Sequence, residues 1–308
     1  MRVLWLGIND EHGCVLHWHD LRCRLRDEHG VTLAGPGYSW DMGTGPRYVS
    51  QLVEKANPDW VVLDDCNALG YVPLIWDQAP KCRVAWREHD WHNRFRQEAG
   101  VKIKPDLILS CYERSLPVND RFRDDPHRVF MPHAVSTHRF HPGNGQVRTF
   151  DVGIYGTTSA GYEERREAKK AIRTMPNSWC PVHGGYWKDG RGSGPVTRYN
   201  DELAADLRRL KCMWVSSGKW NGVVLKYFEG AASGCMLFGV RPDGWERCFP
   251  EEAMVECPPE EAQDVAEWYA KKDSLRQVVA EKATTHCLEH HSVEARASQI
   301  MEVLHGAS

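Results

Sequence analysis

Lys226 and Glu229 stand three residues apart in a proline-free stretch, so a helix there presents a cation and an anion on one face. Such a pair suits a ligand carrying both phosphate and ribose. The ammonium and the free backbone N–H groups around Gly222 would take the phosphate, while the carboxylate would accept hydrogen bonds from the sugar diol. The same spacing fits an ordinary surface ion pair. The elements that must position these groups are legible on either side. Residues 223–233 hold one interior glycine, and Gly234 stands where a left-handed helix terminus wants a residue without Cβ. Residues 235–238 are wholly apolar, the pattern of a strand buried on both faces of a parallel sheet. Helix, glycine and buried strand make half of a βαβ unit.

At 308 residues the chain has room for two domains, each with its own core. No apolar run approaches the roughly 20 residues of a membrane span, and residues 3–6 are too short for a signal-peptide core, so a cytoplasmic protein is expected. The eleven cysteines include no C-x-x-C pair and read as reduced core residues. His17-x-His19 and Glu289-His290-His291 have the look of metal fragments, but no partner cluster lies nearby and solvated histidines are expected instead. A formal net charge of -3 excludes a uniformly basic nucleic-acid binder and leaves room for a local patch.

Further strands are expected at 2–6, 31–34, 59–63, 82–86, 104–110 and 128–132, with a helix over 14–29. The loop 8–13 follows the first strand, at the carboxyl end where open α/β sheets place ligands, and does not fit G-x-G-x-x-G. Its Gly13 permits close backbone approach or serves only a turn. The glycine-rich loop 35–46, with Tyr38 and Trp40, has the length of a functional loop. Residues 142–145 are a turn cluster suited to a hinge, after which a second α/β series begins. It comprises a strand over 150–155, a basic helix over 162–174, a helix over 201–210, a strand over 212–216, a loop over 241–249 and a strand over 253–257. Helices over 260–271, 274–290 and 292–304 end it.

Residues 81–104 interleave Lys81, Arg83, Arg87, Arg94, Arg96, Lys102 and Lys104 with Trp86, Trp91 and Phe95. Cations with stacking surfaces suit a nucleic-acid strand whose target base is turned out of the stack. The stretch also fits a solvated charged loop.

The segment Lys226-Tyr227-Phe228-Glu229, followed by Gly230-Ala231-Ala232-Ser233-Gly234, resembles the signature of GT-B glycosyltransferases, and within them the CgeB-like group. The opening Asp151-Val152, with Gly156 and Arg165, is similar to that group's "D-V-x-F-x-G … R", with Ile154 in place of Phe. The run from Pro132 to Pro142 resembles the family's interdomain linker, with Ser136 where Asp is usual. Many relatives carry a second Glu eight residues before the ribose-binding one, and here that place holds Asn221.

The resemblance implies an α/β chain with two Rossmann-like domains facing across a cleft. They are expected as an acceptor-side domain over 1–148, a nucleotide-sugar domain over 149–290, and a final helix over 291–308 returning to the first. It implies donor contacts from Gly13, Gly156, Arg165, Lys219, Lys226 and Glu229, and a catalytic pair His89 and Asp90 after the fourth strand. The implied reaction is sugar transfer from a nucleotide sugar, of the UDP-glucose kind, with retention of anomeric configuration. If the enzyme inverts instead, Asp90 or His89 is placed to act as general base. No D-x-D motif occurs, so neither metal nor cofactor is expected. Related enzymes include phage ones that glycosylate hydroxymethylated pyrimidines such as 5-hydroxymethylcytosine in DNA, which would put Arg87, Trp91, Arg94 and Arg96 on the acceptor, inside the host cytoplasm. A glycan or small-molecule acceptor, or a non-catalytic nucleotide-sugar-binding protein, is the alternative.

Overall fold

The apolar runs become parallel strands because a strand covered on both faces has no polar side to show. The computed structural model describes residues 1–7, 9, 16–35, 37–38, 49–64, 81–88, 105–113, 125–183, 200–218 and 221–307. Gly13, His89, Asp90, Trp91, Arg94, Arg96 and Lys219 lie outside them, as do residues 39–46 and 184–195.

Strands β1 (Val3–Leu6), β2 (Thr32–Ala34), β3 (Trp60–Asp64), β4 (Arg83–Glu88), β5 (Leu107–Ser110) and β6 (Arg128–Phe130) form a parallel sheet in the order β2-β1-β3-β4-β5-β6. Leu4 pairs with Val61 and Val61 with Val84, so apolar residues run across its centre. Trp5, Trp60 and Trp86 are fully buried. Helix α1 (Leu16–His29) connects the first two strands, and α2 (Val49–Ala56), which was not expected, precedes the third.

The second sheet repeats the plan. Strands β7 (Phe150–Ile154), β8 (Ser178–Trp179), β9 (Leu210–Val215), β10 (Met236–Gly239) and β11 (Met254–Glu256) stand in the order β11-β10-β9-β7-β8, all parallel. Between them run α3 (Glu163–Ile172), α4 (Asn200–Leu207), α5 (Leu225–Ala232) and the short α6 (Trp245–Cys248), which replaces an expected loop. Helices α7 (Ala262–Ala270), α8 (Asp273–His290) and α9 (Val293–Gly306) follow. The core joins Val152 and Ile154 of β7, Trp214 of β9, Met236 and Phe238 of β10, and Ala168 and Ile172 of α3.

In each sheet the first strand lies between the second and the third, which creates a switch point at β1/β3 and another at β7/β9. Ligands of open α/β sheets bind outside the carboxyl ends of the strands at such points. The chain divides into two compact units. Unit 1 comprises Met1–Glu11, Trp18–Pro132 and Arg296–Ser308, and unit 2 comprises His12–His17 and His133–Ala295. The expected boundary at 148/149 falls inside unit 2.

Two of the histidines expected in solvent are buried. His17 is 7% exposed, and His291 is 4% exposed with its Nε2 2.6 Å from the Cys248 carbonyl. Among the described residues no group of three or more His, Cys, Asp or Glu side chains could hold a metal ion, and no helix is long and apolar enough to cross a membrane.

Candidate donor site in the second unit

Helix α5 begins at Leu225 because the chain before it is held elsewhere. Asn221 has a φ of +47°, which Asn tolerates better than Glu, and the Asp243 N–H donates to its carbonyl at 2.9 Å. That conformation gives a backbone reason for Asn at the place where the two-Glu motif has a carboxylate. Gly230 lets the helix lie close on the sheet, since a Cβ there would come within 2.7 Å of Met213 Sδ and 2.8 Å of Leu237 Cδ2. Gly234, at φ +74°, ends it as the sequence implies. From above, Thr284 of α8 donates its hydroxyl to the Ala231 carbonyl at 2.8 Å.

Lys226 and Glu229 thus sit on a helix fixed on both sides, near the β7/β9 switch point. Among the described residues they form no ion pair with each other, and neither side chain has a hydrogen-bond partner. The surface ion pair that the spacing also allowed is therefore absent. Half-buried Lys226 lies over the Tyr155 ring, its Nζ 5.0 Å from the centroid. Glu229 is 9% exposed. Burial pushes its carboxyl up to about 7, against the pull of Lys226. Burial brings the Lys226 ammonium down to about 8, helped by Arg165 and opposed by Glu229.

Arg165 is 3% exposed and ties the two loops of the switch point together. Its Nη2 donates to the Ser216 carbonyl beyond β9 at 2.6 Å, and its Nη1 to the Thr157 carbonyl beyond β7 at 3.0 Å. The Tyr162 ring covers the guanidinium at 4.7 Å. Both cations converge on Gly156, whose φ of +119° is open to glycine and strained for other residues. A Cβ there would lie 2.5 Å from Lys226 Cε and 2.8 Å from Arg165 Nη1. An ammonium and a guanidinium against bare backbone can hold a diphosphate, and the unpaired carboxylate one turn along can accept from a diol.

Three expected donor residues, Gly156, Arg165 and Lys226, are thus brought together, and Glu229 shares the helix of the last. Sequence reasoning missed Tyr155 and His183. The Tyr155 ring stacks on Trp179 at 6.0 Å and stands 5.8 Å from that of His183. Burial, then Lys226, Arg165 and Lys169, lower His183 to about 4, which keeps it neutral. The small-residue run Ser216-Ser217-Gly218 after an apolar strand was the available signal for this end of the sheet.

Arg87, expected among the four acceptor contacts, is the one of those residues that the structure describes. It is 6% exposed and donates to Asp64 Oδ1 at 2.9 Å, because β4 carries it to the neighbouring strand's last residue.

Residues 165–302, a little under half of the chain, match the glycosyl transferase-like family model. No curated protein matches in sequence. Solved structures match over the whole length. They include a sucrose-phosphate synthase from Thermosynechococcus elongatus, with 12% identity, 100% of both chains covered and a TM-score of 0.67. Another is HepE from Anabaena in complex with UDP and glucose, with 11% identity, 99% of this chain and 100% of that one covered, and a TM-score of 0.69. A third is an alpha-glucosyltransferase in complex with UDP-glucose and DNA containing an abasic site, with 11% identity, 99% of both covered and a TM-score of 0.62. The fold is GT-B, and the family match supports glycosyltransferase function.

Proposed function

We propose that this GT-B chain transfers a sugar from a nucleotide-sugar donor, of the UDP-glucose kind, to an acceptor hydroxyl. The observation that carries the reading is the convergence of Lys226 and Arg165 on Gly156, with Glu229 buried and unpaired on the same helix as the lysine. The acceptor oxygen bonds to the anomeric carbon as the bond from that carbon to the diphosphate breaks. The electron pair leaves with the nucleoside diphosphate, where the two cations stabilise it. With these charges already in place, the reaction needs no divalent ion. Under retention a donor phosphate oxygen takes the acceptor's proton, and the family resemblance makes His89 and Asp90 the proposed catalytic pair, with Lys219 and Gly13 as further proposed donor residues. The nine cysteines among the described residues are free thiols, which supports a cytoplasmic setting.

For the acceptor we propose a hydroxymethylated pyrimidine in DNA, as in a phage modification enzyme. The cations and aromatics of residues 81–104, and a structural neighbour solved with DNA, support this reading. A second reading is a glycan or small-molecule acceptor, which gains weight because Arg87, buried on Asp64, is taken out of the 81–104 series of cations. The experiment is a panel of nucleotide sugars assayed on hydroxymethylcytosine DNA and on neutral glycans across a salt series. Transfer to the DNA that falls steeply with salt is expected, and Arg94→Ala with Arg96→Ala should flatten the slope. Transfer only to a neutral sugar overturns the DNA acceptor, and neither transfer nor donor hydrolysis overturns the enzyme.

A further inference from the structure

Unit 1 carries a second charged constellation at the carboxyl ends of β1, β3 and β4, beside its own switch point. Asp64, the last residue of β3, is 3% exposed and accepts on both oxygens. Arg87 Nη1 donates to Oδ1 at 2.9 Å, while Trp5 Nε1 at 3.0 Å and Arg22 Nη1 at 2.5 Å donate to Oδ2. Arg22 is 3% exposed and also donates from Nε to the Tyr38 hydroxyl at 3.0 Å.

Two guanidinium groups share one buried carboxylate here. A buried ionic triad is a poor way to stabilise a core, since apolar residues of similar volume often do as well. Among the described residues Arg87 gives one N–H, to Asp64, of the five that a guanidinium carries. Gly7, just beyond β1, packs beside the triad, where a Cβ would stand in ordinary contact 3.4 Å from Arg22 Cδ and 3.5 Å from Asp64 Cβ. Fixed guanidinium forks match the oxygens of a phosphate, and the switch point of a parallel sheet is where such a group would arrive.

We infer that Arg22 and Arg87, held in place by Asp64, form an anion site in unit 1 that takes a phosphate group of the acceptor. The inference rests on the glycosyltransferase reading and deepens it, because it makes the acceptor anionic. Two sources share this chemistry, the monoester of a sugar phosphate and the backbone diester of a nucleic acid.

The test follows the arginine Nε–Hε NMR signals of the full chain at constant ionic strength. Inorganic phosphate is titrated first, then glucose 6-phosphate, then a short single-stranded DNA without terminal phosphates. The signal of Arg87 should shift saturably with phosphate, which separates this site from the cations of unit 2. Arg87→Lys should weaken that binding about tenfold or more, since one charged hydrogen bond is worth that much, with UDP affinity unchanged. A saturable shift with glucose 6-phosphate supports the site with a monoester, and one with the DNA alone supports it with a diester. If Arg87→Lys does not fold, the titration of the parent protein decides by itself. No saturable Arg87 shift with any of the three, in a protein that binds UDP, overturns the anion site alone. Failure to bind UDP at all overturns the underlying reading as well.

Discussion

Replacing Glu229 by Gln should stabilise the unliganded protein above neutral pH while weakening its hold on the donor. Burial raises this carboxyl from 4.5 to about 7, so the folded state holds its proton more tightly than the unfolded state. Below about pH 4.5 both states are protonated and the site costs nothing. The stability is lost as pH rises through the folded value, and the loss is complete above about 7. At about 1.4 kcal/mol per pH unit of difference, the cost of keeping the carboxylate buried at pH 8 is roughly 3 kcal/mol. At pH 5.5 it is about half that, because only the unfolded state has ionised. Glutamine has the same shape without the charge. Thermal melts of Glu229→Gln should therefore rise by about 5 to 10 °C at pH 8 and clearly less at pH 5.5. Calorimetry with UDP at pH 8 should show binding weaker by about 1.5 to 3 kcal/mol, the worth of hydrogen bonds to a charged acceptor. The parent's UDP affinity should also fall below pH 7, where the carboxyl must first lose its proton, and the variant's should not. A variant no more stable than the parent at pH 8 would refute the burial argument, and unchanged UDP affinity would sink the ribose role.

Arg165→Lys removes a fork that spans two loops, and the carbonyls of Thr157 and Ser216 lose a charged donor. It should cost about 1 to 3 kcal/mol in urea unfolding and lower donor affinity at least tenfold by calorimetry. Gly156→Ala keeps every charge but drives a methyl against Lys226 and Arg165 at a strained φ. Turnover should fall tenfold or more, with about 1 to 3 kcal/mol lost in stability, and parent-like turnover would contradict the convergence of cations there. Burial is the main cause that holds His183 at about 4, and Lys226→Met takes away the largest of the charge effects added to it, so NMR titration should find that histidine moved up from about 4 but still below 6.5. Activity should survive excess EDTA, and loss that only an added divalent ion restores would contradict charge stabilisation by side chains.

The strands were legible because runs such as residues 3–6 and 60–63 are apolar on both faces, and that pattern needs no tertiary knowledge. Strand β8 was not, since two residues with half-buried side chains make no pattern at all. For the site, the shared helix face of Lys226 and Glu229 followed from spacing, but whether they would pair did not. Spacing allows the contact, whereas the lysine's place over Tyr155 comes from the end of β7, some seventy residues earlier. Arg87 looked like part of an exposed stretch because its sequence neighbours are basic. Its partner Asp64 becomes adjacent only through the β3/β4 pairing. His183 is set apart by burial and then by cations gathered from separate elements, which no local motif records.

The segmentation of unit 1 bears on the birth of the chain at the ribosome. Arg296–Ser308 belongs to that unit, although all of His133–Ala295 lies between it and the rest. Translation therefore delivers every strand of the first sheet, and then the whole of the second unit, before the first unit has its full set of contacts. Domains generally fold in the order in which they emerge. Here that order does not hold for unit 1, which emerges first but cannot complete its contacts until the segment from Arg296 onward has followed all of His133–Ala295.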